Sequence, residues 1–352
     1  MNIFDMYTSK DIGAYWEEKN ATQVPFLGAS LFIATKQVGL DLSWIKGKGG
    51  LSIALKPSQF DAKATFRDRI GVTRVETEMP FFREAMLIKE KDRQQLVQAE
   101  KNGDEFIKPI LNKIYDDVKG LVDGADVQAE RMRMSLLATG GINIVANGVD
   151  YTYDYTDDDF KANNITTLTD TARWSAVDTA NPIEDIENAQ LAVKTKTGVK
   201  PTRAVCTSKT WGYLRNNLAI KTAINAQKGI NLATNRVSDK ELRAYLLEEL
   251  ELTVVVYDNK FINETGATTN YFPDEVFTLI PATTLGETVY GTTPEELDLM
   301  SGKTKADVSI VNTGVAITTL MHEHPVNKET IVSEIVLPSF ERIGQIHILN
   351  VA

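Results

Sequence analysis

Apolar and polar positions change their spacing several times along the chain. Over residues 104–139, Ile107, Leu111, Ile114, Val118, Leu121, Ala125, Met132 and Leu136 recur at threes and fours, with one gap at Gln128-Ala129. That period predicts an amphipathic helix about 50 Å long, more than a compact domain needs. Pro109 suits its true start, Gly120 and Gly124 weaken its interior, and Gly140-Gly141 end it. Residues 142–151 then read as a strand, an Asn147-Gly148 turn and a second strand, a hairpin. Asn181-Pro182-Ile183-Glu184-Asp185 is a capped helix start, and Gly198 closes that helix. A further helix is predicted over 208–218. Another follows the capping box Ser238-Asp239-Lys240-Glu241, with Leu242, Tyr245, Leu246 and Leu250 inward. Strands are predicted at 203–206, 252–257, 276–280, 306–311, 315–321, 334–338 and 345–351. The polar stretch 156–181 reads as loop.

The first part of the chain has a different texture. Residues 1–30 show little periodicity and carry Pro25 and Gly28, which predicts an extended arm with a short helix around 12–19. Leu40, Leu42 and Trp44 alternate with Asp41 and Ser43, the period of a half-buried strand. Lys46-Gly47-Lys48-Gly49-Gly50 supplies a turn, alternation resumes at Leu51, Ile53 and Leu55, and strand-like composition continues through 66–75. This long excursion has too few large apolar residues to bury itself and is expected to pack on something else.

The composition is 43% hydrophobic, 24% charged and 8% aromatic over 352 residues, ordinary globular chemistry with material for about two domains. The lone Cys206 excludes an internal disulfide. No apolar run approaches the roughly 20 residues of a membrane span. The start lacks the basic and apolar regions of a signal peptide, so a soluble cytoplasmic protein is expected. Net charge is −10, which argues against nucleic-acid binding. Yet residues 36–83 hold nine Lys and Arg against five Asp and Glu, leaving −14 on the rest. A basic segment on an acidic body suits an arm that lies on an acidic surface, of this chain or of an identical neighbour.

Candidate chemistry is sparse. His322-Glu323-His324 points two rings to one side of a strand, as zinc ligands are arranged, but no third ligand accompanies them. Asp157-Asp158-Asp159 lacks the spacing and glycine of a calcium loop. Gly47-Lys48-Gly49 lacks the frame of a phosphate loop. Cys206 sits beside Val205 in an apolar strand, as a structural thiol does. No catalytic residue, metal ligand or cofactor-binding residue is expected.

Several segments carry a resemblance. Phe26-Leu27-Gly28-Ala29-Ser30-Leu31-Phe32 with Lys36 and residues 39–47 is similar to the major head proteins of lambda-type tailed bacteriophages, the E family. So are Leu55-Lys56-Pro57-Ser58-Gln59-Phe60, Arg67-Asp68-Arg69, Glu78-Met79-Pro80-Phe81-Phe82-Arg83-Glu84, Glu90-Lys91-Asp92-Arg93 and Leu337-Pro338-Ser339-Phe340-Glu341. The resemblance runs in order along essentially the whole chain and rests on packing residues.

It implies the α+β shell fold of tailed phages, first known from phage Hong Kong ninety-seven. The expected parts are an N-terminal arm at 1–35, an extended β loop at 36–88, and a peripheral domain with a long spine helix at 89–181. An axial domain at 182–311 follows, and 312–352 return to the peripheral domain. The arm and the loop are expected to bury their surface on neighbouring subunits, with Trp44, Lys46, Lys48, Arg67 and Arg69 making inter-subunit contacts. The implied function is a non-enzymatic major capsid protein that self-assembles into an icosahedral head enclosing DNA without binding it specifically. Implied partners are its own copies in hexamers and pentamers, a separate scaffolding protein and a portal protein, with a decoration protein left open. The implied location is the virion, and the host cytoplasm during assembly. A Lys–Asn crosslink between subunits has no matching residues. Two other readings stand beside this one: an encapsulin-like cargo compartment, and a cytoplasmic metal-dependent hydrolase using His322, His324 and an Asp.

Overall fold

The structure, a computed structural model, describes residues 8–21, 23–46, 73–91, 94, 104–227, 236–302 and 306–352. In chain order the elements begin with α1 (Ser9–Asn20), α2 (Leu27–Leu31), β1 (Phe32–Lys36), β2 (Asp41–Lys46), β3 (Thr73–Glu78) and β4 (Phe81–Ile88). Next come α3 (Asp104–Thr139), the hairpin β5 (Gly141–Ala146) and β6 (Val149–Asp154), α4 (Asp158–Asn163) and β7 (Ile165–Thr167). Then follow α5 (Pro182–Thr197), β8 (Arg203–Cys206), α6 (Ser208–Asn216), α7 (Leu218–Gln227), α8 (Asp239–Leu250) and β9 (Thr253–Val256). The remainder is β10 (Lys260–Ile262), β11 (Thr268–Asn270), β12 (Val276–Ile280), β13 (Gly286–Tyr290), α9 (Pro294–Ser301), β14 (Asp307–Val311), β15 (Val315–Glu323), β16 (Val326–Pro338) and β17 (His347–Asn350).

The chain divides into two units. The first comprises Met1–Leu42, Glu76–Arg133 and Glu287–Ser339. Its sheet has the order β1-β13-β16-β15-β14, with β4 also on β16. The thirteen-residue β16 makes this possible: 326–333 pair with β15, 328–335 with β4, and 336–338 with β13, all antiparallel. Helix α3 lays Val118, Val122 and Ala125 into a core with Ile88, Val311, Val315, Ile317 and Val332. The helix begins at Asp104, not at Pro109. Proline removes one backbone hydrogen bond, a loss a 36-residue helix absorbs.

Part of the N-terminal arm, expected to bury its surface on a neighbour, packs on its own subunit. Thr8 and Asp11 form a capping box that starts α1. Ile12 and Trp16, one turn apart, are 1% and 6% exposed in the core of the first unit. Trp16 Nε1 donates to Asp123 Oδ1 at 3.0 Å, and Tyr15 Oη donates to Asp116 Oδ1 at 2.7 Å. The Ser9 amide donates to Asp307 Oδ2 at 2.6 Å. Leu31 and Phe32 are buried as well. Burying two such side chains is worth about 1.5–3 kcal/mol each, so α1 belongs to its own subunit.

The second unit comprises Ser43–Val75, Met134–Gly286 and Phe340–Ala352. Its five-stranded sheet has the order β7-β17-β12-β8-β9. β8 and β9 are parallel, so the chain between them must cross over, and α6, α7 and α8 make that crossover. The central β12 is buried at every position, its one polar side chain, Thr278, donating to the Leu137 carbonyl at 2.8 Å. Phe277, Leu279, Trp174, Trp211, Leu214, Ile220, Leu242 and Leu246 fill the core. The capping box of Ser238 and Glu241, and Gly198 at φ 77° closing α5, stand as their residue types dictate.

Two of the segments that differ from their sequence readings lie in the second unit. The stretch 156–181 contains α4, β7 and a 3-10 turn at Asp170–Ala172, and its Trp174 is fully buried with Nε1 donating to Asp185 Oδ2 at 2.9 Å. The helix expected over 208–218 is two helices. Asn217 separates them, its amide donating to the Val177 and Ala180 carbonyls and its Oδ1 accepting from the Ile220 amide at 3.1 Å.

Candidate functional site

The sequence singled out the excursion between Lys36 and Arg83, and its stem is formed by β2 and β3, which pair as a two-stranded ribbon. β2 alternates as predicted, with Leu42 and Trp44 buried between exposed Asp41, Ser43 and Ile45. Trp44 is 6% exposed and packs its ring on Tyr155, centroids 4.9 Å apart at 54°. Two residues on, Lys46 Nζ lies 2.5 Å from Asp157 Oδ2. Both side chains therefore engage their own unit. Lys48, Arg67 and Arg69, the strand expected at 51–55 and the part of that expected at 66–75 up to residue 72 lie outside the described residues, while Thr73–Val75 open β3.

Asp157 does two jobs. Its other oxygen caps α4, accepting from the Phe160 amide at 2.8 Å. The Lys46 ammonium and that amide hold its carboxyl below the usual range. Asp159 pairs with Lys196, which lowers its carboxyl as well. The acidic run Asp157-Asp158-Asp159 thus supplies a helix cap and two ion pairs. Burial pushes the Tyr155 phenol well above its ordinary range. Sequence reasoning found Trp44 and Lys46, weighed Asp157 only as part of a calcium loop, and missed Tyr155. The acidic triplet opposite a basic strand end was the available signal.

The remaining chemical candidates sit apart. His322 Nε2 lies 2.7 Å from Glu329 Oε2 across the β15–β16 hairpin, and His324 precedes Pro325 in its turn. Among the described residues no group of three His, Cys, Asp or Glu could hold a metal ion. Cys206 is fully buried, and burial pushes its thiol far up. Among the described residues no helix is long and apolar enough to cross a membrane.

The comparison with known families decides the identity along almost the whole chain. Residues 8–351 fit the family described as phage major capsid protein E. The chain belongs to that family. Solved structures of phage origin share its fold. A chain described as the capsid protein of an Escherichia coli CFT073 prophage superposes with a TM-score of 0.61 at 14% identity, covering 98% of this chain and 99% of that one. A phage-related protein from Bordetella bronchiseptica RB50 superposes at 0.58 and 11% identity, with 97% of each chain covered. None of the curated proteins compared with the chain matches it.

As a phage major capsid protein E family member, the chain is a structural subunit of a phage shell and has its place in the virion. The α+β shell fold expected from the sequence is the fold observed. Neither a cargo compartment nor a metal-dependent hydrolase is favoured.

Proposed function

We propose that copies of this chain close into hexamers and pentamers of an icosahedral head through heterologous contacts, each subunit laying its basic excursion on acidic surface of the next. One observation carries this reading: Trp44 and Lys46 fasten the stem of the excursion to Tyr155 and Asp157 of their own subunit. With the stem fastened, a contact of Lys48, Arg67 and Arg69 with a neighbour has its root already ordered and less ordering entropy left to lose. In this reading Trp44 and Lys46 contribute to the inter-subunit contact from its base. The long helix serves as spine of the peripheral domain, and residues 182–311 take the axial role. A separate scaffolding protein directs closure, a portal protein occupies one vertex, and assembly takes place in the host cytoplasm. The subunit performs no catalysis and encloses DNA without binding it specifically.

Lys48→Glu, Arg67→Glu and Arg69→Glu combined test the docking. Each exposed pair is worth about 0–1 kcal/mol, but a shell repeats the loss at every subunit. The expected result is a folded subunit with particle yield abolished. Unchanged yield would remove the excursion from the assembly contact.

A further inference from the structure

Three carboxyls and one guanidinium meet inside the first unit. Helix α3 brings Asp126, Glu130 and Arg133, and β16 brings Glu334. Glu130 is provided for. Its Oε1 accepts the Gly28 amide at 3.0 Å, and its Oε2 faces Arg133 Nη1 at 3.5 Å. Arg133 Nε is spent on Thr288 Oγ1 at 2.8 Å, and that hydroxyl donates to the Phe32 carbonyl at 3.2 Å. Glu334 has no such provision. It is 2% exposed, and neither of its oxygens has a hydrogen-bond partner. Asp126 is held by neutral amides, with Asn312 Nδ2 at 3.0 Å and the Asn20 side chain beside it.

The other charged groups nearby are engaged elsewhere. Lys36 on β1 donates to Glu296 and to the Gly291 carbonyl. Asp123, one turn before Asp126, accepts from Lys119 and Trp16. Tyr290 on β13 is kept neutral by burial. Ionising both Asp126 and Glu334 would therefore place two carboxylates together with one guanidinium already shared with Glu130, an arrangement that a low-dielectric interior opposes. Burial, with the Asp126 charge adding, pushes the Glu334 carboxyl well above its usual range. Burial lifts Asp126 to about 6, with Arg133 and the two amides opposing and Asp123 assisting.

We propose that Glu334 permanently carries the proton of this site, and that Asp126 trades its proton with solvent and so sets how tightly the N-terminal segment closes over the long helix. The sign follows from linkage. Folded Asp126 binds its proton more tightly than the unfolded chain does, so closure is tightest in acid and slackens as pH rises through about 6. Asn20 ends α1 and Asn312 sits in the β14–β15 turn; both amides favour the charged form, but burial outweighs them, so the net effect of ionisation is to loosen the enclosure. The device belongs to the single subunit and does not depend on assembly.

Hydrogen exchange of the full-length chain tests it, followed over α1 between pH 5 and pH 8 and corrected for the intrinsic pH dependence of exchange. Protection should fall roughly tenfold over that range, the part of the two-unit shift that lies above pH 5. Asp126→Asn should hold protection at its acid level throughout. Glu334→Gln, which mimics a carboxyl already neutral, should leave the midpoint near 6. Infrared spectra give a second readout that does not need Asp126→Asn to fold. At pH 8 the wild-type chain should show a protonated-carboxyl band that Glu334→Gln lacks. A flat wild-type profile, an unaltered pH response in Asp126→Asn, or the same infrared band in Glu334→Gln would each overturn the proposal.

Discussion

Gly28 approaches Glu130 so closely that a Cβ on it would lie 2.4 Å from Glu130 Oε2 and 2.9 Å from Arg133 Cβ. The Gly28 amide meanwhile donates to the same carboxylate at 3.0 Å. The position therefore requires glycine for space. An Arg133 Cβ is tied to the helix backbone and cannot give way, so Gly28→Ala must push the N-terminal segment off the helix. The expected cost is about 1–3 kcal/mol, read as a lower urea midpoint with α1 exchanging faster. A midpoint within about 0.5 kcal/mol of wild type would show that the close approach is not fixed.

Trp44→Ala should loosen the root of the excursion without unfolding the subunit. Truncating a buried Trp costs about 3–5 kcal/mol where the surroundings cannot collapse, and the Tyr155 ring loses its partner. Hydrogen exchange should rise in β2 and in the β5–β6 hairpin, and particle yield should fall. Full yield would mean that the stem need not be fastened for assembly.

His347 predicts acid sensitivity in the second unit. Its Nε2 lies 2.9 Å from Thr166 Oγ1, its Nδ1 has no hydrogen-bond partner, and burial pushes the imidazole down to about 4. The unfolded chain takes up this proton near 6.5 and the folded one only near 4, so stability is complete above about 6.5 and is lost as pH falls to about 4. The loss from this group is about 3 kcal/mol at most. Urea unfolding followed from pH 7 to pH 4 should show it, and His347→Gln should flatten the profile. An equal slope in the variant would assign the acid sensitivity elsewhere.

Unassembled subunit should bind duplex DNA only weakly, at roughly 10⁻⁴ M or worse in physiological salt. Lys46 is already paired with Asp157, and the chain outside 36–83 carries −14. Micromolar, salt-sensitive binding in a fluorescence titration would mean that the excursion serves the genome instead of a neighbour.

Local chemistry was legible wherever one residue type can do one job. The long helix ends at Thr139 as its period and the following glycines require. The β5–β6 hairpin turns at Asn147-Gly148, both at positive φ. Long-range burial was not legible. Ile12 and Trp16 are too few to mark a face, and their partners lie about a hundred and three hundred residues away. Strand β4, Phe-Phe-Arg-Glu-Ala-Met-Leu-Ile, does not alternate and is defined by its pairing with β16. Helix α9 has no buried residue, so no apolar stripe announces it. At the candidate site, the strand holding Trp44 and Lys46 could be read, but its anchors Tyr155 and Asp157 could not. Glu334 stands in Glu-Ile-Val-Leu-Pro, where nothing distinguishes a buried carboxyl from an exposed one.

Electron microscopy of the chain, expressed alone and together with its neighbouring genes, tests the shell directly. Membership of the capsid E family and the fastened excursion together predict closed icosahedral particles built of hexamers and pentamers. A compact monomer at every concentration, with and without scaffold, would contradict that prediction.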